Sequence, residues 1–135
     1  LVSRGTEMRT DISTANTVQL SYGVAKICTL AGLYHEFGWD SSMGVWVRKF
    51  NGDREEFSIT QTETYNMLVD HYGLVCNHCD TRFLYDKPDH LWRVVNPNGI
   101  GYGESDKLGK AVARCVLSTF HSGYFKCPRF LEDRA

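Results

Sequence analysis

The stretch Leu91-Trp92-Arg93-Val94-Val95-Asn96-Pro97-Asn98-Gly99 decides the fold class. It reads as a β-strand closed by a turn, with Trp92 and Val94 on one face and Leu91, Arg93 and Val95 on the other. Pro97 lacks the N–H that a ladder needs, and Asn98-Gly99 tolerates positive φ, so the strand stops there. A tryptophan beside β-branched residues marks a core strand, and Trp92 is its expected anchor.

Upstream, residues 82–85 read as another strand, broken at Pro88. Thr60 or Thr62 caps a helix over 63–72 that places Tyr65, Leu68, Val69 and Tyr72 on one face, and Gly73 ends it. A loop carrying Cys76 and Cys79 lies between. Asn51-Gly52-Asp53 turns a strand over 44–50 back onto 55–59. The strict alternation of Val18, Leu20, Tyr22 and Val24 predicts a half-buried strand over 18–24, and 27–37 either continues the sheet past Gly23 or forms a short helix.

Downstream, Asn98-Gly99-Ile100-Gly101-Tyr102-Gly103 joins the Trp92 strand to a helix over 106–120, capped by Ser105. Leu108, Ala111, Val112, Cys115, Val116, Thr119 and Phe120 form its apolar stripe, and His121-Ser122-Gly123 ends it. The glycine-rich turn lacks the Lys-Ser/Thr of a phosphate loop, and Glu104 would repel phosphate. Strands and helices intermix through hairpins, so the class is α+β: a small antiparallel sheet of about four strands with packed helices.

The chain has 135 residues, enough for one domain with an ordinary core. Residues 1–17 are polar and open on a protease-site or vector-like Leu1-Val2-Ser3-Arg4-Gly5, so they are expected to be a disordered or vector-derived segment. Residues 18–135 are then a single domain. Fifteen basic against sixteen acidic residues give a net charge of −1, which argues against nucleic acid as a partner. No apolar run reaches the ~18 residues of a membrane span.

Five cysteines, Cys28, Cys76, Cys79, Cys115 and Cys127, spread over a hundred residues favour a secreted, oxidised chain with two disulfides and one thiol left over. The helical stripe turns Cys115 inward toward the sheet, so the two bridges are expected to use Cys115 and at least one of Cys76 and Cys79, with the connectivity open. Two active readings of Cys76-Asn77-His78-Cys79 compete with it. A redox pair needs a helix N-terminus to favour thiolate, and here a helix has just ended. A zinc site could recruit His71 and His78, but Cys115 and Cys127 stand too far along the chain to form a second knuckle. A small secreted ribonuclease could draw on His35, Glu36, Arg93 and His121, although their spacing does not single them out.

Trp92-Arg93-Val94-Val95-Asn96-Pro97 resembles the WR(F/L/V)xxP motif of the LARS family, the Leptosphaeria avirulence-supporting-and-suppressing secreted fungal effectors, through Trp92, Arg93, Val94 and Pro97. The resemblance implies a four-stranded antiparallel sheet tied by disulfides to flanking helices, over residues 18–127. It implies a virulence factor of a plant-pathogenic fungus, with no catalytic residue, metal or cofactor. Its partners are then host plant proteins, a resistance protein among them, met in the host apoplast or in host cells after translocation. The motif is structural in this reading: Trp92 locks sheet to helix, and Arg93 satisfies carbonyls or a carboxylate. Partner contacts are expected on the loop after it, where Ile100 and Tyr102 stand among small turn-forming residues.

Overall fold

The computed structural model describes the backbone of residues 7–81 and 89–133, and their side chains except at 79–81 and 89–90. The strand expected over 82–85, the break at Pro88 and the side chain of Cys79 lie outside that description.

Asn16 decides the first long element. Its side chain accepts from the Gln19 amide at 2.8 Å, and the Gln19 side chain accepts from the Asn16 amide at 2.9 Å. This capping box starts helix α1, Thr17–Leu30, which buries Leu20, Val24, Ile27 and Cys28. The expected strand over 18–24 is thereby corrected. Positions 20, 24, 27 and 28 fit a helical face as well as 18–24 fit an alternating one, and the cap breaks the tie.

Contacts divide the chain into two compact units, residues 1–58 with 123–135, and residues 59–122. In the first unit β1, Glu7–Asp11, pairs with β8, Tyr124–Pro128. A meander of β2, Glu36–Asp40, β3, Gly44–Arg48, and β4, Arg54–Glu56, forms a three-stranded antiparallel sheet. A 3-10 turn over Arg129–Asp133 follows β8, and the Asn16 side-chain Nδ2 ties it down by donating to the Leu131 and Glu132 carbonyls at 3.0 and 3.1 Å. From Glu7 onward, then, the N-terminal residues belong to the fold, a correction to the disordered segment expected over 1–17. Buried Val45 and Val47 lie on the face of the meander that meets α1.

The second unit starts with α2, Thr62–Tyr72, closed by Gly73 at φ 64° as expected. It continues with β5, Val75–Thr81, β6, Asp89–Val95, β7, Tyr102–Ser105, and α3, Leu108–Phe120. The sheet is antiparallel in the order β5-β6-β7. In register, Cys76, Val94 and Gly103 form one row across it. A Cβ on Gly103 would overlap the Ala111 carbonyl and the Cys115 amide of α3, so helix backbone rests on strand backbone where only glycine fits. Residues 75–81, read as a loop, are a strand, and the turn after Gly101 is strand β7.

The class is therefore α+β, with three α-helices and three small antiparallel sheets among the described residues rather than one sheet of about four strands. Cys28, Cys76, Cys115 and Cys127 are free thiols, so among the described residues the expected disulfide framework finds no support. Three of them serve as small buried side chains inside apolar cores.

Candidate functional site

Sheet faces sort the residues of the WRVVNP stretch. Val94 is fully buried on the α3 side, whereas Trp92, on the same face, is half-buried with its ring 4.7 Å from the His78 ring across the β5–β6 ladder. Val94 is the anchor that the sequence reading assigned to Trp92. Arg93 lies on the outer face with its Nε 3.6 Å from a Glu104 carboxylate oxygen, one of the two partner types expected for it. Pro97 is exposed and ends β6 as expected.

On that outer face the register sets Val75, Val95 and Tyr102 in one row and Asn77, Arg93 and Glu104 in the next. The first row is apolar and faces solvent: Val75 is 44% and Tyr102 45% exposed. The Tyr102 hydroxyl donates to the Glu104 carboxylate, which fixes the ring along the strand.

Beside that row three chain segments meet. The Asn96 amide donates to the Gly101 carbonyl at 3.0 Å, closing the 96–101 turn. The Asn96 side chain reaches Thr119 Oγ1 at 3.3 Å, which ties the turn to the last part of α3. A Cβ on Gly73 would lie 4.0 Å from the Asn98 side chain, so the end of α2 borders the same turn. Ile100 projects from the turn 86% exposed, and Phe120 ends α3 53% exposed, its ring 5.9 Å from that of Tyr72. Val75, Ile100, Tyr102 and Phe120 are the exposed large apolar side chains described in this unit, and all four belong to this one pole. Clustered exposed apolar side chains on a hydrogen-bonded support make a contact surface for another macromolecule.

Sequence reasoning singled out Ile100 and Tyr102 and missed Val75 and Phe120. Phe120 was read into the buried stripe, but the stripe turns away from the core after Val116 and Leu117, so Phe120 reaches solvent. No local signal marks Val75; its place depends on pairing with Val95.

His35 and Glu36 belong to the first unit, with Glu36 ion-paired to Arg48, and Arg93 and His121 belong to the second. Among the described residues no three of His, Cys, Asp and Glu come together as metal ligands. Burial pushes the Cys76 thiol up, and burial with the neighbouring Cys76 pushes Cys115 up to about 12. Both stay protonated at neutral pH, the opposite of a redox nucleophile. Cys127 is also raised by burial, although its Sγ lies 3.1 Å from Thr10 Oγ1, a contact that favours the thiolate.

A cleft of about 260 Å³ in the first unit is lined by Thr17, Ser21, Trp39, Asp40, Met43 and Glu56 among others. The Asp40 carboxylate there is committed: it accepts from the Met43 and Ser42 amides and pairs with Arg54 at 2.5 Å. The chain matches no family model, no curated protein and no solved structure.

Proposed function

We propose that this chain works by docking another protein on the apolar pole of its second unit, as a secreted fungal effector that meets host plant proteins, a resistance protein among them. The observation that carries the docking is the concentration of Val75, Ile100, Tyr102 and Phe120 at one end of one unit. The turn that presents Ile100 is braced by Asn96, Gly101 and Thr119, so contact residues are presented with little ordering left to do. The effector assignment draws on the Trp92–Pro97 resemblance. It carries no catalytic step of its own.

The test expresses the chain and an Ile100→Ala/Tyr102→Ala/Phe120→Ala variant in a panel of host plants and scores the resistance response. Circular dichroism confirms that both are folded. The expected outcome is a response to the parent chain that the folded variant loses. A response of equal strength to both moves recognition off the pole. Cleavage of RNA by the purified chain would replace docking with the ribonuclease reading.

A further inference from the structure

Two Asn-Gly pairs stand in this chain, Asn51-Gly52 and Asn98-Gly99, and both occupy turns of the same kind. The Gly52 amide donates to the Lys49 carbonyl at 3.0 Å, and the Gly99 amide donates to the Asn96 carbonyl at 3.2 Å. Each asparagine is therefore the third residue of a hydrogen-bonded four-residue turn, and both pairs are exposed. The side chains differ. Asn51 is held at both ends by one residue: its Oδ1 accepts from the Asp53 backbone amide at 2.9 Å, and its Nδ2 donates to the Asp53 carboxylate at 3.2 Å. The Asn98 side chain makes no hydrogen bond among the described residues; only its backbone amide is engaged, donating to the Asn96 side chain at 3.0 Å.

We propose that Asn98 is a modification site: it deamidates spontaneously in the folded chain while Asn51 is protected, so the chain ages at its apolar pole. Glycine after asparagine favours this reaction because no Cβ hinders ring closure. The Gly99 backbone nitrogen gives up its proton and attacks the Asn98 side-chain carbonyl carbon. A five-membered imide closes, and the side-chain nitrogen leaves as ammonia with that proton. Water then opens the ring at one of its two C–N bonds. Opening at the side-chain carbonyl gives aspartate. Opening at the main-chain carbonyl gives isoaspartate, whose backbone is one carbon longer. Water is the one co-reactant, and nothing is oxidised or reduced.

The attack needs the side-chain carbonyl to swing towards the following nitrogen. Asn98 can turn at once, whereas Asn51 must first release both bonds to Asp53. The remaining asparagines do not compete. Asn16, Asn66 and Asn77 precede Thr, Met and His, whose side chains crowd the attack, and Asn96 precedes Pro97, which has no amide proton to lose.

Asn98 stands two positions before Ile100, in the turn that the Asn96 amide and Gly101 carbonyl close at 3.0 Å. A carboxylate there brings charge to an apolar pole, beside the Gly73 end of α2, where the helix's partial negative charge repels it. The extra carbon of isoaspartate lengthens the turn and moves Ile100. A loss of docking on ageing rests on the docking reading above; the modification itself does not.

The test incubates the full chain for weeks at body temperature and mildly alkaline pH, with a parallel sample in guanidinium chloride. Peptide mass spectrometry then reads the replacement of NH2 by OH at each pair. In denaturant the two pairs should convert at similar rates. In the folded chain Asn98 should convert at least about fivefold faster than Asn51, the effect of two hydrogen bonds that must break first. Gly99→Ala should slow Asn98 at least about fivefold with the turn intact, because a methyl there meets its neighbours at no less than 3.6 Å and Gly99 lies outside the left-handed region. Conversion of Asn51 as fast as Asn98 in the folded chain, or of neither while denaturant converts both, overturns the proposal. A preference for Asn98 of the same size in denaturant assigns it to neighbouring sequence and overturns it too. Host response is read separately, on aged parent and aged Gly99→Ala chains. A response that the aged parent keeps with Asn98 converted moves docking off this turn and leaves the modification standing.

Discussion

Each unit carries a three-stranded sheet with one outward face, and the two faces are finished differently. On the meander of the first unit the register places Gly38, Trp46 and Glu56 in one row, and Glu36, Arg48 and Arg54 in the next. Trp46 lies over Gly38, and the Arg54 guanidinium caps its ring at 3.7 Å. Arg48 pairs with Glu36, and Arg54 pairs with Asp40. A large aromatic side chain is thus covered by residues of its own unit. On the second unit's sheet the ion pair Arg93–Glu104 stands beside the apolar row without covering it, and Val75 and Tyr102 remain open. Where this chain has charges to spare for shielding an outer face, it uses them on Trp46. The uncovered face is the one that the proposed docking would use.

The largest effect expected on this contrast comes from glycine. Gly103→Ala drives a methyl into α3 backbone, which cannot step aside, and should cost about 3 kcal/mol or more. Gly38→Ala meets the Trp46 ring edge at 2.6 Å, and a side chain can tilt away, so about 1 kcal/mol is expected. Urea denaturation of the two variants checks the order. A Gly38 variant as damaged as the Gly103 variant would make the Trp46 stack as unyielding as the helix contact.

A smaller effect is expected from the cover over Trp46. Arg54→Ala removes a ring contact and a half-exposed ion pair, about 1 kcal/mol together, and should red-shift tryptophan emission. Acid acts on the same place. The Met43 amide, with Ser42 and Arg54, holds the Asp40 carboxyl below its ordinary 3.8. A depressed carboxylate stabilises the fold above its unfolded pKa, and that contribution is lost as pH falls through the folded one. Stability of the parent chain should therefore decline below about pH 4, and Asp40→Asn should flatten that decline in melts taken between about pH 2 and 5.

How much of this the sequence disclosed follows from range. Local signals carried α2 with Gly73, the β3–β4 hairpin at Asn51-Gly52-Asp53, and the length of α3 to within two residues at its start. Ser105 accepts from the Lys107 amide at 3.2 Å rather than opening the helix itself, which explains the shift. Helix α1 was misread because Val18, Leu20, Tyr22 and Val24 satisfy a two-residue period, while Asn16, which settles it through its cap with Gln19, sits outside that window. Strand β5 was missed because Asn77, His78 and Asp80 are polar, and its identity comes from pairing with β6. The same holds for the site. Ile100 and Tyr102 announce themselves among glycines, but Val75 joins them only through a register made twenty residues away in sequence.

The smallest effect separates exposure from stability. Ile100→Ser should leave the unfolding free energy within about 0.5 kcal/mol, since a side chain that is 86% exposed supports nothing beneath it. The same change should lower the binding of an apolar fluorescent dye to the native chain, whereas Arg54→Ala should raise it. If neither variant moves dye binding, the two faces are equally finished and the contrast fails.

The Ser118 hydroxyl, bonded to both backbone groups of Tyr102, sets a valency. A sheet open on both sides can recruit strands in two directions, and repeated recruitment is the route to filaments. With Ser118 on the Tyr102 backbone and Arg114 on the Glu104 carbonyl, β7 offers no growing side, so this sheet cannot recruit strands in two directions. Ser118→Ala alone leaves Arg114 on that edge, so two side chains of one helix together keep it shut.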